Sequence, residues 1–218
     1  MEIKQEFVNV FNVRMFTLRF FEKDREQWIV LLHDALGSSA QWKRLPQLLF
    51  DQTNCNVLTY DRKGYGKSEG SVLPRYSDFM HEEAKKELPE LLNILNIQWP
   101  IVLGHSDGGS IALMFAKENN CRAVISIAAH AYVEDITVKS IKAALKHKSK
   151  IIEGLAKFHK EKAETIFHAW NDTWVTKEFN KWTIWDDVDL GILPTLLVQG
   201  DADEYGIWRQ EKTFQRKL

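Results

Sequence analysis

Only two cysteines, Cys55 and Cys121, occur in 218 residues, too few for a disulfide framework, so a cytoplasmic protein is expected. No apolar run is long enough to span a bilayer, and the opening Met1-Glu2-Ile3-Lys4-Gln5-Glu6 is charged where a secretory leader would be apolar. A formal net charge of −1 argues against nucleic acid as the main partner. No Cys/His or His/carboxylate cluster has metal-ligand spacing, His33-Asp34 being a lone pair, and no G-x-G-x-x-G or Walker pattern occurs, so no metal and no cofactor are expected. Internal repeats and low-complexity linkers are also missing. With 44% apolar residues the chain can bury one sizeable core, and it reads as one domain with room for an insertion.

Against these absences one stretch stands out, Gly104-His105-Ser106-Asp107-Gly108-Gly109. It follows the short apolar run Pro100–Leu103, which reads as a buried strand, and precedes Ser110–Lys117, which reads as a helix. Strand, G-x-S-x-G, helix is the pattern of a nucleophile elbow. Its turn is sharp, and Gly104 and Gly108 give the room it needs. Ser106 then stands at the C-terminal edge of a sheet, beneath the N–H groups that open the helix.

The remaining chain alternates strands with helices. Phe7–Phe11 and Val13–Phe21 read as a strand pair at a sheet edge. Trp28–Leu32, Asn56–Tyr60, Ala123–Ala129 and Pro194–Gln199 read as strands, several of them continuous apolar runs of the kind buried on both faces. A helix is expected over roughly 40–50, with Ser38 and Gln41 spaced as a capping box and Pro46 delaying its start. A long helix is expected over Tyr76–Ile97, with Glu83, Lys86, Glu87 and Glu90 on its wet side and a kink or division at Pro89. A short helix is expected over Ile207–Leu218. Such alternation gives a mostly parallel central sheet with helices on both faces, an α/β fold. From about 134 to 189 the period is helical throughout, too long for a simple crossover. Residues 1–133 and 190–218 are therefore read as the core, and 134–189 as a helical cap insertion over the sheet edge.

Four stretches together resemble the α/β-hydrolase fold family of the helical-cap type. They are Val30-Leu31-Leu32-His33 with its small-residue loop, Tyr60-Asp61-Arg62-Lys63-Gly64-Tyr65-Gly66-Lys67-Ser68, the elbow, and Pro194 through Asp203. They stand in the family's order and cover nearly the whole chain. The resemblance implies Ser106 as a nucleophile towards an acyl or similar carbon, and Asp203, three residues after Gly200, as the acid that orients a histidine. An N-cap before Tyr205 is the other role open to Asp203. The resemblance also implies an oxyanion hole from the N–H of Asp107 with that of Ala35, or else of Leu36.

Two departures accompany it. Asp34 stands where the family has glycine, so its side chain either faces the oxyanion hole or points away and caps the loop. The triad histidine, which follows the acid in the family, has no counterpart, because all seven histidines precede Asp203. The family's last strand and helix are also missing, so the chain is expected to be a C-terminally shortened form. His33, His105 and His130 are candidate pocket residues, with the His105 side chain directed away from that of Ser106. Trp170 and Trp174, within an aromatic cluster that includes Trp182 and Trp185, are cap core and candidate roof of a pocket for a small-molecule substrate. Eight lysines between Lys139 and Lys162 form a basic face, most simply a solvated one.

Two functions follow as expectations. One is a cofactor-free serine hydrolase of a small ester, inactive if the base is lost. The other is a non-catalytic ligand-binding protein on the same scaffold. A sheet edge left open beside Thr195–Gln199 predicts self-association.

Overall fold

The computed structural model describes residues 1–206 and 209–215. Among the described residues, seven strands form one sheet in the order β1-β2-β4-β3-β5-β6-β7. They are β1 (Glu2–Val10), β2 (Val13–Phe21), β3 (Trp28–Leu32), β4 (Asn56–Tyr60), β5 (Ile101–His105), β6 (Ala123–Ile127) and β7 (Thr195–Val198). The first two form a hairpin, and β2 pairs antiparallel with β4. All other pairings are parallel. This is the α/β architecture expected from the alternation of apolar runs with helical periods. The hairpin is longer than the expected strand pair, because polar Glu2–Glu6 extends it along the exposed edge.

The continuous apolar runs are strands covered on both faces. On β3, Val30 and Leu32 enter one core while Ile29 and Leu31 enter the other, the period-2 division of a pleated strand. Helix α1 (Leu45–Gln52) covers one face through Phe50. Helices α2 (Phe79–Glu82), α3 (Leu88–Ile94) and α4 (Asp107–Glu118) contribute to the larger core on the other face.

Among the local expectations, the capping box at Ser38 and the wet position of Glu83 change, while the late start at Pro46 and the division near Pro89 are found. The Ser38 side chain makes no capping hydrogen bond. A short 3₁₀ turn, Ser39–Trp42, begins there instead, and α1 starts late with Pro46 in its first turn, where a missing N–H costs nothing. The Tyr76–Ile97 helix is divided by a π-helical turn, Glu83–Glu87, just before Pro89. That turn carries Glu83 off the wet side into the core, where Tyr60 Oη donates to its carboxyl group. In the terminal segment, α8 spans Arg209–Gln215; Ile207, Trp208 and Arg216–Leu218 of the expected helix lie outside the described residues.

Between β6 and β7 the chain is helical, with α5 (Asp135–Ala144), α6 (Lys148–His159), α7 (Ala163–Trp174) and short 3₁₀ turns. Its share of the larger core is aromatic: Phe179 stacks on Trp182 with centroids 5.3 Å apart and meets Trp174 edge-on at 4.9 Å. The segment is tied to the β4 loop by His159, which is fully buried. Its Nδ1 accepts from Gly66 N at 2.9 Å, and its Nε2–H donates to Leu36 O at 2.9 Å.

Candidate active site

The loop after β4 is tied to the loop after β3, whose residues Asp34, Ala35 and Leu36 line the site. Asp61 accepts from Ser39 N at 2.6 Å and from Lys67 N at 2.7 Å, and Ser68 Oγ links the Asp61 carbonyl to Phe16 N. Gly66 has φ of +47°, and a Cβ there would lie 2.1 Å from Asp61 Oδ2, so only glycine fits against this carboxylate. The stretch is a structural brace.

At the end of β5 the chain turns sharply into α4. Ser106 has φ of +54° and ψ of −121°, a left-handed conformation that a non-glycine residue holds only when its surroundings impose it. Those surroundings are backbone. A Cβ on Gly104 would lie 1.9 Å from Gly108 O, and one on Gly108 would lie 2.1 Å from Leu32 O. Ser106 N donates to Ile127 O at 2.8 Å, which locks the turn to the neighbouring strand. Asp107 opens α4, so its N–H has no partner within the helix.

This turn stands on a cavity of about 210 Å³. Ser106, Asp107, Ala35, Asp203, His105 and His130 all line it, and Trp170 and Trp174 of α7 join them. Thr137 and Ile141 of α5, together with Tyr205, complete much of the apolar wall; the helical period of 134–189 placed Ile141 on an apolar face but carried no signal that it reaches this cavity.

His33 does not line the cavity. It is buried beneath it because Arg62 claims it: Arg62 N donates to His33 Nε2 at 3.2 Å, while His33 Nδ1–H donates to Asp34 O at 2.8 Å. Burial, then the Arg62 charge, hold the imidazole well below the usual histidine range, so it is neutral.

Asp34 takes the capping orientation and also meets His105. Oδ1 accepts from Leu36 N at 2.8 Å and caps the loop, while Oδ2 lies 3.5 Å from His105 Nδ1 on the cavity wall. The cap occupies Leu36 N–H, whereas Ala35 N–H makes no hydrogen bond among the described residues. Burial pushes the Asp34 carboxyl up, but His105, His33 and Leu36 N–H together hold it below its ordinary value. The same contact raises the His105 imidazole.

His130 is buried against Trp174, and its Nδ1 has no hydrogen-bond partner. Burial lowers its pKa to about 4, against a weaker opposing pull from Asp203. Asp203 uses both oxygens in its own turn: Oδ1 accepts from Tyr205 N at 2.8 Å and Oδ2 from Gln199 Nε2 at 2.9 Å. Among the described residues no histidine is hydrogen-bonded to Ser106 or Asp203, no cluster of His, Cys, Asp and Glu could hold a metal, and no helix is long and apolar enough to cross a membrane.

Sequence reasoning missed Arg75. Its Nη2 lies 3.3 Å from Asp107 Oδ2 in a buried ion pair, and Nη1 donates to Tyr65 Oη at 2.7 Å. The partners stand 32 positions apart, which left no local pattern to find.

Comparison with known proteins bears on the fold and the family. The chain is 32% identical over 90 residues to the sn-1-specific diacylglycerol lipase ABHD11 of Mus musculus, covering 41% of this chain and 28% of that protein. It is 38% identical over 88 residues to the putative carbamate hydrolase RutD of Pantoea ananatis, covering 40% of this chain and 30% of that protein. The matches thus span under a third of these curated relatives. The fold is similar to that of a bacterial membrane phospholipase A, with TM-score 0.76 at 15% identity over 99% of this chain and 76% of that one. The family model of the alpha/beta hydrolase fold matches residues 27–149, more than half of the chain, and the protein belongs to that family.

Proposed function

We propose that the protein is a hydrolase of a small ester or related acyl substrate, with Ser106 as nucleophile. Ser106 Oγ gives its proton to a base and attacks the acyl carbon, and the tetrahedral oxyanion takes hydrogen bonds from the N–H groups of Asp107 and Ala35. Its collapse breaks the ester bond, releases the alcohol with a proton and leaves an acyl-enzyme that water hydrolyses to the acid and free Ser106. Asp203 is the acid of the triad, and the base is unassigned. Trp170, Trp174 and Ile141 favour an apolar acyl group. The observation that carries this reading is the strained Ser106 backbone at the head of α4, held on a cavity whose walls are largely aromatic and aliphatic. The lipase and carbamate hydrolase among its relatives are in keeping with acyl chemistry.

A second reading, ligand binding without turnover, is favoured by Asp203, both of whose oxygens are already occupied in its own turn. A nitrophenyl ester separates the two. A burst of nitrophenol, lost in Ser106→Ala, together with labelling of Ser106 by a fluorophosphonate, supports the hydrolase. No burst and no labelling, with ligands that raise the melting temperature, supports the binding protein. The exposed edge of β7 is read as a surface for self-association.

A further inference from the structure

Asp107 is fully buried immediately after Ser106, and a carboxylate is an expensive residue to bury. Its Oδ2 meets Arg75 Nη2, and its Oδ1 has no hydrogen-bond partner. Arg75 is itself only 4% exposed along its side chain. Its guanidinium lies over the Phe79 ring, Cζ 3.5 Å from the centroid, and its Nη1 holds Tyr65 Oη, while Nε is buried without a partner. Tyr65 in turn packs on His33, with centroids 5.0 Å apart, and on His159 at 6.0 Å. A continuous set of contacts therefore joins the first residue of α4 to the brace after β4.

Stability does not account for this pair. Buried ion pairs are commonly no more stable than well-packed apolar residues of the same volume, and this one leaves a buried polar atom unsatisfied on each partner. What the pair does fix is position. The Asp107 side chain is the lever arm on the peptide whose N–H opens α4 beside Ser106, and Arg75 holds its end.

We propose that Arg75 is a positioning residue: by neutralising and pinning the Asp107 carboxylate it sets the Asp107 N–H at the place where an oxyanion forms beside Ser106. This rests on the reading of Ser106 as nucleophile. The other charged groups that act on Asp107 are Arg62, His105 and Asp34: Arg62 and His105 share the neutralising role and Asp34 opposes it, but among the described residues only Arg75 reaches a carboxylate oxygen of Asp107.

The test is a cycle of Arg75→Met, Asp107→Asn and the double variant, assayed by nitrophenyl ester turnover and by the rate of fluorophosphonate labelling. Arg75→Met is expected to lower kcat by about 10²-fold with KM within about threefold, the scale of a misplacement near 1 Å. In the Asp107→Asn background the same change is expected to alter kcat less than about threefold, because no charge is left to pin. The deficit of Arg75→Met is also expected to shrink as the pH falls, since a protonated Asp107 needs no counter-charge. A kcat within about threefold of the parent, or an equal loss in both backgrounds, overturns the assignment. Should Arg75→Met lose its cooperative thermal transition, Arg75→Lys replaces it in the cycle; the lysine keeps the charge and loses the fork, and an unchanged kcat again overturns the assignment. An unlabelled parent protein would sink the Ser106 reading itself, whereas a labelled parent and an equally reactive Arg75→Met would sink only the role of Arg75.

Discussion

The imidazole of His130 stands edge-on to the indole of Trp174, with ring centroids 4.9 Å apart and planes at 63°. Burial, to which this contact contributes, removes the imidazole from water and carries its pKa from 6.5 to about 4. The native state then binds fewer protons than the unfolded chain between those values. Stability conferred by keeping His130 neutral is present above pH 6.5 and lost as the pH falls through about 4, to a total of about 3 kcal/mol. His130→Phe removes the titration and keeps the ring contact. Urea unfolding at pH 7 and pH 4 is expected to show a smaller acid loss in the variant, by roughly that amount; equal losses would mean that His130 protonates freely.

Glu83 gives the opposite sign. Burial, then the neighbouring Glu87, raise its carboxyl well above 4.5, so the native state binds the extra proton. Its contribution is complete below the unfolded pKa and is lost as the pH rises through the folded one. Glu83→Gln mimics the protonated form and keeps an acceptor for Tyr60 Oη. Melting temperatures measured from pH 4 to pH 8 are expected to converge at the acid end and to favour the variant at the alkaline end. A variant that is weaker throughout would show that the carboxylate is charged and paired.

The elbow glycines are limited by backbone atoms that cannot swing aside. Gly104→Ala and Gly108→Ala are each expected to cost at least about 3 kcal/mol or to prevent folding, measured by thermal denaturation. Gly154 supplies the control, because a Cβ there meets nothing within 4 Å in the middle of α6. Gly154→Ala is expected to stabilise by about 0.5–1 kcal/mol through helix propensity alone.

Much of this was legible in the sequence because the signals are local. The elbow is six consecutive residues, and the parallel strands are short, mostly apolar runs. The order of motifs also led to Ser106, Asp107, Ala35 and Asp203, which the fold gathers on one cavity. What escaped depends on partners distant in the chain. Glu83 has the helical spacing of a wet residue, and only the π-helical turn with Tyr60 opposite takes it inside. His33 was a pocket candidate by its place at a strand end, and Arg62, 29 residues later, decides otherwise. The Arg75–Asp107 pair had no sequence signal at all, since an arginine in a loop is ordinary until its counter-ion is known.

Leu196 and Val198 lie two apart on β7 and are 55% and 41% exposed. Among the described residues β7 pairs only with β6, so its other edge carries free N–H and C=O groups beside apolar side chains. Such an edge is a template for another strand. Leu197, on the opposite face, packs against the main core, which holds β7 in register and keeps Leu196 and Val198 turned outward. Light scattering is expected to show a mass that rises with protein concentration. Leu196→Lys with Val198→Lys places charge on that edge without touching the core, and is expected to return the chain to a monomer with little change in melting temperature. A parent protein that stays monomeric at high concentration would show that the edge is protected by its own twist and shortness.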